Sequence, residues 1–182
     1  MILPAPALAD ERPLGKAEVM KMAGEHVILC EGWRDVDESC QSVLFLDSPD
    51  GKTLTATNRL QIADEPDVAV AIRDPATLEG GAVCTTVDFG PEHTVMLLDG
   101  EPSANELAGH FLDALKVSLA AYDGRLACET FRRDDATGVF KSSTTIDGAA
   151  APELDSVYRR LPEGSRVRLR PLLESDSSEQ SI

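Results

Sequence analysis

The residues of this sequence best suited to chemistry are four cysteines, three histidines, one acidic loop and a run of arginines near the C-terminal end. Cys30, Cys40, Cys84 and Cys128 form no C-x-x-C pair, so the spacing of a zinc ribbon and that of a thioredoxin-type redox motif are both missing. An even number without such spacing points to two disulfides in an oxidising compartment. Of the three connectivities that four cysteines allow, Cys30 with Cys40 and Cys84 with Cys128 is preferred, because the first bridge closes the short acidic loop EGWRDVDES beside two apolar strands. The alternative is four unpaired thiols packed as small core residues in a cytoplasmic protein.

His26, His93 and His110 fall in three different segments. A histidine-dependent site needs two of them, or one with Asp or Cys, to meet in space, and no spacing in the sequence argues for that. His110 and Asp113 stand at i, i+3 on the polar face of an expected helix, a pairing that solvated faces commonly show. Asp35-x-Asp37-x-Ser39 resembles the first half of a calcium loop, but Cys40 replaces the turn-forming Gly and no Glu stands at the twelfth position. No metal or cofactor is therefore expected.

Arg166, Arg168 and Arg170 alternate along a last strand, and Arg132, Arg133, Arg159 and Arg160 lie in neighbouring segments. In a chain with 32 acidic and 17 basic residues, formal net charge −15, this is where the charge runs against the average. Arg166, Arg168, Arg170, Arg132 and Arg133 are accordingly the candidate contacts for an anionic ligand or acidic partner, through bidentate bonds to carboxylate or phosphate. The same arginines could instead pair with the chain's own surplus of acids.

Composition excludes broader classes. The acidic balance disfavours nucleic acid, whose binding depends on Lys and Arg displacing counterions, and no run reaches the roughly 20 apolar residues of a membrane-spanning helix. No G-x-G-x-x-G, Walker A loop, H-E-x-x-H or G-x-S-x-G occurs. The start MILPAPALADERP carries Ala7 and Ala9 around Leu8 ahead of Asp10, like the end of a secretory signal without its basic and apolar regions. Residues 1–12 thus read as a flexible arm or signal remnant, 13–173 as one domain, and 174–182 as a disordered tail.

The elements that would hold these residues are mostly strands. Apolar runs and alternation predict strands over 27–33, 42–46, 53–62 and 67–73, with SPDGK as the turn into the third. Residues 74–81 read as a loop, 82–99 as a hairpin, 125–133 and 138–146 as a second hairpin around DDATG, and 166–173 as a last strand. KAEVMKMA and PELDSVYRRL read as short helices. The strongest helical pattern is SANELAGHFLDALKVSLAAYDG, where Ser103 and Glu106 make a capping box and Phe111, Leu112, Leu115 and Leu119 share a stripe. The expected fold class is α+β: a mostly antiparallel β-sheet with one long amphipathic helix, about 104–122, packed on one face.

On this reading the protein is a small exported, periplasmic or secreted, non-enzymatic binding domain for a small anionic ligand or a protein partner. A cytoplasmic location is the alternative. A hydrolase or transferase whose groups are not paired in the sequence, and a structural subunit of a larger assembly, are the alternative functions.

Overall fold

In a computed structural model that describes residues 12–103, 106–134 and 137–171, the chain begins with β1 (Arg12–Pro13) and α1 (Lys16–Gly24). It continues through β2 (Ile28–Glu31), β3 (Ser39–Cys40), β4 (Ser42–Asp47), β5 (Leu54–Ala63), β6 (Val68–Glu79) and β7 (Ala82–Thr86). Then come β8 (Thr94–Leu98), β9 (Glu101–Pro102), α2 (Glu106–Ser118), β10 (Leu126–Arg133), β11 (Val139–Ile146) and β12 (Ala149–Ala150). A 3-10 turn at Pro152–Leu154 leads to β13 (Val157–Leu161) and β14 (Arg168–Leu169).

Eight of these strands close into a barrel, in the order β2, β4, β5, β6, β7, β10, β11, β13 and back to β2, with every neighbour antiparallel. Closure leaves those strands no free edge, and it sends alternate side chains to the interior. Leu54, Ala56, Asn58 and Leu60 of β5 face inward, as do Ala127, Glu129 and Phe131 of β10. At one end the interior is filled: Val19, Met22 and Ala23 of α1 pack on Leu29, Leu46, Leu54, Phe131 and Phe140. α1 is therefore a plug. Its start is fixed by Glu18, which accepts from the Gly15 N–H at 3.0 Å and from both terminal nitrogens of Arg12 at 2.8 and 2.6 Å.

β6 is long because it serves two partners. Its first half, Val68–Ile72, pairs with β8 and its last residues, Ala76–Glu79, pair with β7, so Asp74 stands where the partner changes. Where β6 extends past its pairing with β7, on the same face as Leu60 and Ile72, Val68, Val70 and Met96 form a second apolar layer with Phe111, Leu112 and Leu115 of α2.

This corrects the α+β expectation. α2 spans 13 residues and none of its described residues is buried; beyond Ser118 the chain turns, with Tyr122 N–H donating to Leu119 O and Gly124 at φ +71. The apolar stripe is real but covers only the β6–β8 flange, while the main core lies inside the barrel. Residues 104–105 of the capping-box stretch, the tail at 174–182 and all of the N-terminal arm except Arg12 lie outside the described residues.

Other local expectations change for the same reason. PELDSVYRRL forms a 3-10 turn and β13, because Tyr158 fills the barrel interior between β11 and β2 while Leu161 packs on the other face with Ile28, Cys30 and Val43. Residues 74–79 continue β6 instead of looping. The 82–99 hairpin does not form, since β7 and β8 each pair with β6. The β4–β5 turn, the β10–β11 hairpin and α1 form where the sequence places them.

The β6–β7 turn shows how tightly the plug is joined to the barrel. Gly81 has φ +107, and a Cβ there would lie 2.4 Å from the carbonyl oxygen of Leu14, whose N–H is bonded to Phe131 O at 2.8 Å. Neighbouring Gly80, at φ +62, has open space around it. Gly81→Ala is expected to cost about 2–3 kcal/mol and Gly80→Ala about 1 kcal/mol in urea unfolding. Equal losses would show that the Leu14 contact does not matter.

Candidate functional site

The end of the barrel opposite α1 holds a half-open cavity of about 450 Å³ to which all eight barrel strands contribute. Its walls are largely aliphatic, with Leu44, Ala56, Leu60, Ile72, Val83 and Ile146 among them, and Phe89, Leu119 and Tyr122 also reach it. Glu31, Asp74 and Glu129 also line it, with the exposed Glu153 and Asp155 at its edge. Among the described lining residues there is no Lys, Arg or His.

Three of these acids are held by neutral donors, while Asp74 faces His93. Glu31 accepts from the Ser42 hydroxyl at 2.6 Å and from the Ser156 hydroxyl at 2.5 Å. Glu129 accepts from the Tyr158 hydroxyl at 2.8 Å. Ser142 stands between them, near Glu129, and its oxygen accepts from the Ser156 N–H at 3.2 Å. Asp155 accepts from the Thr144 N–H at 2.8 Å. Asn58 Oδ1 is buried with no hydrogen-bond partner among the described residues.

Glu129 is enclosed by protein but borders empty space. Removal from water pushes its pKa up; the Ser142 and Tyr158 hydroxyls oppose this, and the Glu31 and Asp155 charges add to it. The same burial raises Tyr158 well above the ordinary phenol range, so its hydroxyl stays a proton donor. What the cavity offers is negative charge and spare acceptors in an apolar shell, with no Lys, Arg or His among its described lining residues and His93 behind Asp74.

No family model, curated protein or solved structure matches this chain.

Both disulfides have the expected connectivity. Cys30–Cys40 joins β2 to β3 around the acidic loop. Cys84–Cys128 links residues directly opposite on β7 and β10, and alternation with the cavity-facing Val83, Thr85, Ala127 and Glu129 places it on the outer side. In the acidic loop, Asp35 accepts from Trp33 Nε1 at 2.7 Å and Arg159 at 2.9 Å, and Asp37 accepts from Arg34 and Ser39. These carboxylates are taken up by the chain itself.

The arginines are spread over the outside of the barrel. Val167 and Leu169 pack against the Cys30–Cys40 cluster while Arg166 and Arg168 are exposed, Arg168 near Asp37. Arg170 turns back and donates to Gly32 O at 2.6 Å and to the Ser39 carbonyl and hydroxyl at 3.3 Å. Arg132 and Arg133 lie on β10, opposite Pro13 and Arg12, with β11 and β13 between them and β2. Arg159 lies 4.7 Å over the Trp33 ring, and Arg160 pairs with Glu25 at 3.1 Å.

His26 meets Asp47 at 3.0 Å and the exposed His110 lies 3.8 Å from Glu106. His93 sits at the barrel rim between Asp74 on one side and Asp88 and Glu92 on the other. The cavity acids were missed in the sequence although a signal exists. Glu129 shares strand parity with Ala127 and Phe131, Asp74 with Val68, Val70 and Ile72, and Glu31 with Leu29. Each is an acid on the apolar face of a strand.

Proposed function

We propose that this protein is a non-enzymatic binding barrel whose cavity takes one compact organic cation, an amine or guanidinium carried on a short aliphatic body. The observation that supports this reading is the pair Glu31 and Glu129, two carboxylates in a largely apolar wall whose recorded partners among the described residues are hydroxyls, beside the unmatched acceptor of Asn58. Buried charge without a counter-charge is costly, and a ligand that brings N–H donors and positive charge relieves it. The volume lies within the range of small-molecule pockets. Two disulfides accord with an oxidising setting, and we place the protein outside the cytoplasm on that ground.

The test is a thermal-shift screen with aliphatic amines and guanidines against the matched alcohols and carboxylates. At a hundred times its Kd a ligand adds about 2.7 kcal/mol, a rise of about 5–10 °C for a chain of this size. Amines are expected to give that saturable rise with one molecule bound, and the neutral and anionic analogues none. A shift with carboxylates alone would move the site to the outer arginines and end the cavity reading.

A further inference from the structure

The loop between β7 and β8 brings together groups that ought to repel one another. Asp88 and Glu92 converge over Gly90: a Cβ on that residue would lie 2.9 Å from both Glu92 oxygens and 3.0 Å from Asp88 Oδ1. Asp88 Oδ1 accepts from the Gly90 N–H at 2.7 Å, and its other oxygen faces His93. His93 Nε2 lies 3.7 Å from Asp88 Oδ2 and 4.0 Å from Glu92 Oε1, and one ligand atom from each of the three residues falls within 4.8 Å of the others. These gaps are too long for hydrogen bonds. They are close to the roughly 3.4 Å that separates tetrahedral ligands placed about 2.1 Å from a common ion.

A second feature points the same way from behind the ring. Asp74 is 8% exposed, and its Oδ1 makes no aligned hydrogen bond among the described residues, yet it faces His93 Nδ1 at 3.0 Å; the Arg73 carbonyl lies 3.2 Å from the same nitrogen. A buried carboxylate and a carbonyl against Nδ1 suit that nitrogen to donate and present Nε2 to Asp88 and Glu92 as the ligating position, the arrangement found behind metal-bound histidines. The Arg73 N–H also donates to His93 O at 2.8 Å, so the ring is carried on paired backbone.

We propose that Asp88, Glu92 and His93 bind one divalent transition-metal ion of the Zn²⁺ type at the rim of the barrel, with Asp74 as the residue that orients His93. An imidazole with two carboxylates suits first-row ions and disfavours Ca²⁺ and Mg²⁺, which prefer oxygen ligands throughout. Three protein ligands leave an open fourth position. The same loop carries Val87 and Phe89 into the cavity wall, so the ion ties the cavity rim to β6.

The experiment is calorimetric titration of tag-free, unreduced, chelator-stripped protein with Zn²⁺ alone, with Co²⁺ absorption as the report on geometry. One equivalent is expected to bind, with the intense visible bands of tetrahedral Co²⁺. His93→Gln should abolish binding. Glu92→Gln, on a side chain 66% exposed and so without consequence for folding, should weaken it at least tenfold. Asp74→Asn should weaken it ten- to a hundredfold at unchanged stoichiometry. No binding by the parent protein, binding that survives both His93→Gln and Glu92→Gln, or binding lost instead in His110→Gln would overturn the site. Unchanged affinity in Asp74→Asn would overturn the orienting role of Asp74.

Discussion

Replacing Cys84 and Cys128 together by serine is expected to lower stability by about 4 kcal/mol, against about 3 kcal/mol for Cys30 and Cys40. In the chain-entropy account the cost grows with the length of the closed loop, and the sequence separations are 44 and 10. The larger loss also falls at a weaker place in the fold. β7 has only five residues and is the one strand, among those described, that joins β6 to β10. Its bridge locks Cys84 opposite Cys128 in the ladder that completes the barrel. A loss of about 4 kcal/mol is a large part of the 5–15 kcal/mol that holds typical domains folded. Urea unfolding of the two double-serine variants, both free of unpaired thiols, makes the comparison. If the Cys30 and Cys40 variant loses as much or more, the closure argument fails.

How much of this could be read in the sequence depended on the range of the interactions involved. The cysteine pairing was legible because the acidic loop between Cys30 and Cys40 left one economical closure. The β4–β5 and β10–β11 pairs were legible because SPDGK and DDATG mark turns between apolar runs. Closure was not legible, since nothing local in AVCTT shows that it must pair with β6 on one side and β10 on the other. The helical stripe of Phe111, Leu112 and Leu115 drew attention because helix periodicity is strong over a long window, yet it packs only on the flange. The site followed the same rule. Arginines at alternate positions stand out in an acidic chain, whereas Glu31, Asp74 and Glu129 become a site only when strands far apart in sequence turn them toward one space.

Glu129→Gln is expected to raise the stability of the empty protein and weaken amine binding at once, and the opposition of sign is what distinguishes a binding carboxylate from a structural one. Burial raises the pKa of Glu129 in the folded chain. Between its unfolded value and that raised value the native state holds more protons than the unfolded state, so this residue's contribution to stability falls as pH rises and is most unfavourable above the folded pKa. The variant cannot ionise. Its amide oxygen still accepts from Tyr158, and the side chain keeps its shape. The difference between variant and parent should therefore be small near pH 4 and grow to about 1–3 kcal/mol in favour of the variant by pH 8. Ligand binding should move the other way, because removing one partner of a buried charge pair costs about 2–3 kcal/mol, roughly a hundredfold in Kd. Urea unfolding at several pH values and calorimetry with the best amine from the thermal-shift screen provide the two readings. A variant less stable at every pH, with amine affinity unchanged, would mean that Glu129 serves only to hold Tyr158, and the cation would have to be sought elsewhere than in this cavity.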